Sequence, residues 1–252
     1  MFYNLYNIIV IDLSKFNLKK VTKMTKMFQG CISLISINFD NFNTASVSNM
    51  ADLFVDCISL KSLDLRNFST ESVTSITSFF QNCSSLTSLD LSSFNTSKMK
   101  KMDKMFSYCV SLTSLDLRNF NTLEATDMSS MFRDCKSLKI LNLGDFKTSS
   151  VTNMNRMFSS CRELLSLNLK SFETSKVTDM GNMFFNLKKL TSLDLSNFNT
   201  LIVTNMNKMF NGCSALISLN LNNFKTSSVN DMGQMFNNCS KLISLKLNFI
   251  KN

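Results

Sequence analysis

The 252-residue chain contains no histidine, no tryptophan and no proline, and only five glycines. Without histidine it lacks the usual general base, the commonest metal ligand and every catalytic triad built on imidazole. So few glycines leave no phosphate-cradling loop of the Walker or dinucleotide type, each of which needs two or three closely spaced. Serine with lysine, or paired carboxylates, remain as chemistry, but they recur along the whole chain instead of converging on one place. The expectation is a protein that is not an enzyme and takes no cofactor and no metal. No apolar run is long enough to span a bilayer, so no membrane insertion by this segment is expected.

What is present is a period. From Met27, Phe28, Cys31, Leu34, Ile37, Phe39, Phe42, Val47 and Met50, each step of 26 residues lands on a residue of the same kind. The Phe28 column is phenylalanine throughout, from Phe2 to Phe236, and all 88 positions of the nine columns are apolar. With 44% apolar residues the chain has ample material for a core, so a disordered reading fails despite the many Ser, Asn and Thr. Strict short-period repetition predicts one elongated array over residues 1–252, nine 26-residue units at 1–234 and a partial unit at 235–252. The array starts at a unit boundary and stops after a strand, as a segment of a longer protein would.

Two periods lie inside each unit. In Leu60, Leu63, Leu65 and Phe68 the Leu-x-Leu centre alternates in and out, which predicts one short strand. Met154, Met157, Phe158 and Cys161 fall at i, i+3, i+4 and i+7, which predicts a helix of two to three turns with Thr152 as its N-cap. A polar link between them carries a recurrent threonine, Thr44 to Thr226, read as a buried hydroxyl that satisfies backbone groups of the link. The expected fold is α/β: a leucine-rich-repeat solenoid, a right-handed β-α superhelix of about ten repeats, with a parallel sheet on the concave side and short helices on the other.

Segments such as LTSLDLSNFNTLIVTNMNKMF at 190–210 and MFNGCSALISL at 209–219 resemble the BspA-like leucine-rich repeats, more closely their mycoplasma-type variant. The resemblance covers essentially the whole chain. Departures are Leu187 in place of the repeat cysteine, Met99 and Ala125 in place of valine, and Lys100 and Lys101 before the second stripe. It implies a cell-surface or secreted binding or adhesion protein with no catalytic residues to carry over. Residues themselves give no signal peptide, since Met1 to Leu13 form a repeat without a basic leader segment, so a cytoplasmic location is the alternative.

The eight cysteines occupy one column, Cys31 to Cys239. An even count invites disulfides and a row of thiols invites a metal, but the column lies on the apolar stripe, Leu187 substitutes in it and there is no CxxC pair. Buried unpaired thiols are the expectation. Seventeen methionines fall mostly in two core columns and read as packing.

Net charge is +9, with lysine outnumbering arginine 22 to 5. There is no arginine cluster and no basic tail, so no nucleic acid is expected as partner. Lys98, Lys100, Lys101 and Lys104 form the densest basic run, either a solvated face or an anion-binding patch.

The outward strand positions are the candidate partner surface: Ser62, Asp64, Arg66, Ser88, Asp90, Ser114, Asp116, Arg118 and Asp194. The Ser and Asp or Asn columns are expected to form hydrogen-bonded ladders from unit to unit. The position after them varies, as a specificity position would. A non-enzymatic recognition module binding a protein or glycan through this face is expected. The alternative is an intracellular or structural scaffold acting by repeat-to-repeat association, with end-to-end self-association through uncapped end units.

Overall fold

Leu-x-Leu alternation places every second side chain on one face, and in the computed structural model, which describes residues 1–247, these segments become short strands. They are β1 (Val10–Asp12), β2 (Ser36–Asn38), β3 (Ser114–Asp116), β4 (Ile140–Asn142), β5 (Ser218–Leu221) and β6 (Ser244–Leu247). They pair in parallel as β1 with β2, β3 with β4 and β5 with β6, at the 26-residue register: Val10 faces Ser36, Ser114 faces Ile140, Ser218 faces Ser244. The expected continuous sheet is therefore three two-stranded sheets. Elsewhere the same segments are tied by sparse bonds, such as Thr87 N–H to the Lys61 carbonyl at 3.2 Å. β1 to β5 stay short because an aspartate or asparagine in each captures the N–H two residues on, as Asp116 Oδ1 does from Arg118 N at 3.1 Å, and turns the chain out of the ladder.

The expected helices are not formed: the described residues contain no helix, and Thr152 caps nothing. Each stripe is a run of β-turns. Met27 N–H bonds the Met24 carbonyl and Cys31 N–H bonds the Phe28 carbonyl, with Lys26 (φ 60°) and Gly30 (φ 76°) left-handed at the third turn position. The pair recurs at Asp52 and Asp56, Ser78 and Asn82, Lys104 and Tyr108, through to Gln234 and Asn238. A left-handed residue every four interrupts any α-helical ladder. Alternate N–H groups then reach the next unit: Met50 to Ser75, Asp52 to Thr77, Phe54 to Phe79 and Asp56 to Gln81, all at 2.8 to 3.1 Å. Parallel bridges run unbroken beside these turns, from Lys23–Asn49 to Asn205–Asp231. The continuous hydrogen-bonded column thus lies on the side that was expected to be helical.

Between the two sides runs one apolar core built from the nine columns of the interior units, while Met1, Leu5, Met232, Leu245 and Leu247 in the end units are exposed. Phe28, Phe54, Phe80, Phe106, Phe132, Phe158, Phe184 and Phe210 are buried and stacked, with successive ring centroids 5.3 to 6.0 Å apart and planes within 19°. The link threonines from Thr44 to Thr200 are buried as expected, and Thr226 is half-buried, but they serve the following unit: Thr96 Oγ1 donates to the Asn121 carbonyl at 2.9 Å and accepts Asn121 N–H at 2.8 Å. At the last described unit the core opens into a cavity of about 240 Å³ walled by Met206, Phe224, Met235, Phe236 and Leu247.

All eight cysteines are unpaired, and each thiol donates to the phenylalanine carbonyl of the preceding unit, as Cys57 Sγ does to Phe28 O at 3.1 Å. Burial, which opposes thiolate formation, pushes Cys213 up to about 12 and raises Cys83, in full burial, well above its ordinary value. Only Cys239, in the last unit, is half-buried. Under native conditions a thiol-alkylating reagent is expected to modify Cys239 first, with the other seven reacting only on denaturation. Mass spectrometry giving early modification of Cys109 or Cys135, or loss of two hydrogens per cysteine pair, would contradict this.

Candidate functional site

The site is built on the first and third residues of each Asx turn, such as Asp116 and Arg118, with the serine two residues before the aspartate. Leu65, Leu91, Leu115 and Leu117 face the core, and the residues between them face solvent. Ser62, Asp64, Arg66, Ser88, Asp90, Ser114, Asp116, Arg118 and Asp194 are all exposed. Ser114 and Asp116 lie on β3 and Arg118 just past its end; the others hold the same register in units that form no regular strand. The expected side-chain ladders on this face are a correction: Asp12, Asn38, Asp64, Asp90, Asp116, Asn142, Asn168, Asp194 and Asn220 each accept their own chain's N–H two residues on, at 2.9 to 3.2 Å. Asp and Asn alternate freely here because the turn needs only one oxygen acceptor.

Charge on this face is largely settled within units. Arg66 Nη2 donates to Asp64 Oδ2 at 2.6 Å, and Arg118 Nη2 to Asp116 Oδ2 at 2.8 Å. Both Arg–Asp pairs are well exposed, so they stabilise little; they orient the guanidinium groups. Hydrogen bonds from Arg66 hold the Asp64 carboxyl down to about 2, and those from Arg118 lower Asp116. Asp90 and Asp194, with no arginine of their own, are lowered by Ser92 and Ser196. Asp90, Asp116 and Arg118 come together with Asn119 in a groove of about 400 Å³ between adjacent units. Asp194 lines a separate one of about 180 Å³ with Asn220 and Asn223. Both present carboxylate and amide acceptors over a leucine floor, suited to recognition by hydrogen bonds. Among the described residues no three Cys, Asp or Glu side chains are grouped as a metal would require.

One column with a positional role went unread in the sequence. Asn67, Asn119, Asn197 and Asn223, at the start of the link, send Nδ2 to carbonyls of the preceding unit, as Asn197 does to Leu169 O at 2.9 Å. Their recurrence before phenylalanine was the available signal. Side-chain ladders do exist, but on the turn side: Asn155 and Asn205 Nδ2 both donate to Asp179 Oδ1 at 3.0 Å. Lys98, Lys100, Lys101 and Lys104 also lie on the turn side, all exposed, and with no helix there is no dipole for them to oppose.

No helix among the described residues is long and apolar enough to cross a membrane. Searched against curated proteins, the sequence has no match. Among solved structures it resembles a leucine-rich repeat protein from Bacteroides ovatus, with a TM-score of 0.53 and 20% identity over 95% of this chain and 64% of that one. The chain thus spans under two thirds of that protein's length. The T. pallidum leucine rich repeat protein TpLRR gives 0.47 and 23% over 82% of this chain and 78% of that one. A leucine rich cell surface protein from Faecalibacterium prausnitzii gives 0.30 and 17% over 97% and 84%. The first likeness shows the fold, a leucine-rich-repeat solenoid. The family model described as "Mycoplasma protein of unknown function, DUF285" matches residues 1–114, 74–184 and 157–248, overlapping stretches that take in nearly the whole chain. With its BspA-like repeats, the chain belongs to that family.

Proposed function

We propose that this chain is a non-enzymatic recognition module that binds a protein or glycan through its polar strand face, the concave side of the expected horseshoe, at a cell surface. The observation that carries this reading is the groove joining Asp90, Asp116 and Arg118. It has polar groups held in place by backbone turns, on a rigid repeating floor, with the position beside them free to vary from unit to unit. Such preorganised polar groups lose little freedom on binding.

The turn bonds dictate the variant that tests it. Alanine at Asp64, Asp90 or Asp116 removes the acceptor that closes the turn, whereas asparagine keeps it, as Asn38 and Asn142 do. Changing Asp64, Asp90 and Asp116 to Asn and Arg66 and Arg118 to Ser is expected to abolish capture of partners from host-cell extract, with circular dichroism and melting unchanged. Surface changes of this kind move stability by about 0.5 kcal/mol or less each. If these variants capture as the parent does, while changes at Lys98, Lys100, Lys101 and Lys104 abolish capture, the strand face is the wrong surface. Capture of nothing but copies of the chain itself, with sedimentation showing growing oligomers, would favour the scaffold alternative.

A further inference from the structure

The net charge is not spread evenly around the solenoid. Positions 9 to 17 of the 26-residue units, the strand and its link, carry nine cations and eight anions among the described residues. The remaining positions, where the bridges and turns run, carry seventeen cations and ten anions. Several of those anions are occupied in holding the ladder. Asp179 accepts Asn155, Asn205 and Gly181 N–H, Asp231 accepts Asn207 and Gly233 N–H, and Asp103 accepts the Thr77 hydroxyl. Among the described residues, no carboxylate lies within 4 Å of Lys98, Lys100, Lys101, Lys104, Arg156 or Lys208.

Three of these cations are in register. Lys104, Arg156 and Lys208 occupy the same left-handed turn position, with φ of 57°, 56° and 53°, on alternate units. Their backbone N–H groups bond Ser129, Gly181 and Gly233 carbonyls at 2.9 to 3.0 Å, so the Cα positions are fixed by the ladder. Two rungs of a parallel ladder separate neighbours by roughly 9.6 Å, comparable to the length of an extended disaccharide. Four residues before this turn position stand Thr126, Thr152, Thr178 and Thr204, in the units of Ser130, Arg156, Asn182 and Lys208, all exposed; before Lys104 the position is Lys100. Each hydroxyl donates to the carbonyl of the preceding unit at 3.1 to 3.2 Å, which leaves its lone pairs as outward acceptors. Cations at disaccharide spacing beside a row of acceptors for hydroxyl groups match a linear acidic sugar chain. Nucleic acid fits less well, because Tyr3 and Tyr6 lie in the first unit and Tyr108, half-buried on the turn face, is already covered by the Arg133 guanidinium, 5.1 Å from its ring centre.

We infer that the turn face is a second binding surface, for an acidic polysaccharide lying along the solenoid axis and anchored at Lys104, Arg156 and Lys208. The test is binding of the whole chain to polygalacturonate by affinity electrophoresis at low salt, with neutral dextran and a 20-nucleotide oligo-dT as comparison probes. A triple change of Lys104, Arg156 and Lys208 to Gln is compatible with the fold, since Gln234 holds the same position with φ 55°. It is expected to weaken polygalacturonate binding at least tenfold and to flatten its salt dependence, because fewer counterions are released. Removing the same charge from the strand side, by changing Lys61, Lys139 and Lys225 to Gln, is expected to leave affinity within twofold. The inference is overturned if the parent does not bind polygalacturonate, if both triple variants lose equally, or if oligo-dT binds as tightly.

Discussion

Replacing Phe132 with alanine is expected to lower the stability of the array by about 3 to 5 kcal/mol, the range for emptying a buried aromatic site. Phe132 is fully buried, with Phe106 stacked on one side at 5.7 Å and Phe158 on the other at 5.6 Å. Its loss breaks two aromatic pairs, each contributing about 0.5 to 1.5 kcal/mol beyond area, and opens a cavity between units. Each unit touches chiefly its neighbours, so a defect in the middle separates the array into two blocks. Two resolved thermal transitions followed by circular dichroism, in place of one, are the expected signature. Leu201→Ala, at an exposed apolar residue, serves as the control and should shift melting little. A Phe132→Ala protein melting in one step, displaced no further than this control, would refute the stacked column as the main support.

The second large effect concerns a hydroxyl. Thr148→Val keeps the side-chain shape but leaves the Glu173 carbonyl and N–H, both bonded to Thr148 Oγ1 at 2.8 Å, without partners. Each stranded group costs about 1 to 3 kcal/mol. Thr152→Val is the internal comparison: its hydroxyl is exposed and makes one bond, to the Thr126 carbonyl at 3.2 Å, and water replaces it at a cost of about 0.5 kcal/mol or less. Urea unfolding midpoints should therefore separate the two variants clearly. Equal midpoints would mean that the link threonines are packing residues and nothing more.

The core was legible because each unit repeats the same register: a column that is phenylalanine from Phe2 to Phe236 has one structural explanation. The helix was not, because Met24, Met27, Phe28 and Cys31 have helical spacing whether the chain winds as an α-helix or as successive four-residue turns. The distinguishing residues stood on the polar side. Gly30, Asp56, Asn82, Asp134, Asn186, Gly212 and Asn238 share one column, and glycine, asparagine and aspartate are the residues that tolerate a left-handed backbone. The outward strand residues were placed correctly, since alternation alone decides which way they point. Their bonding was not, because aspartate bonding its own backbone two residues ahead leaves the same sequence column as aspartate bonding its neighbour above. The turn-side charge went unread for a related reason: Lys104, Arg156 and Lys208 are 52 residues apart in sequence and align only once the units are stacked.

The turn-side N–H groups give the chain a direction in time as well as space. Asp52, Phe54 and Asp56 donate forward, to carbonyls 25 residues later, so a newly made unit cannot complete its own hydrogen bonding. On a ribosome adding 5 to 20 residues per second, each unit waits about 1 to 5 seconds for its successor. Throughout synthesis the growing protein therefore carries one unfinished rung at its leading edge, and every interior rung closes over the same short sequence separation however long the array becomes. Folding of this kind proceeds at a pace set by the unit, not by the length of the protein.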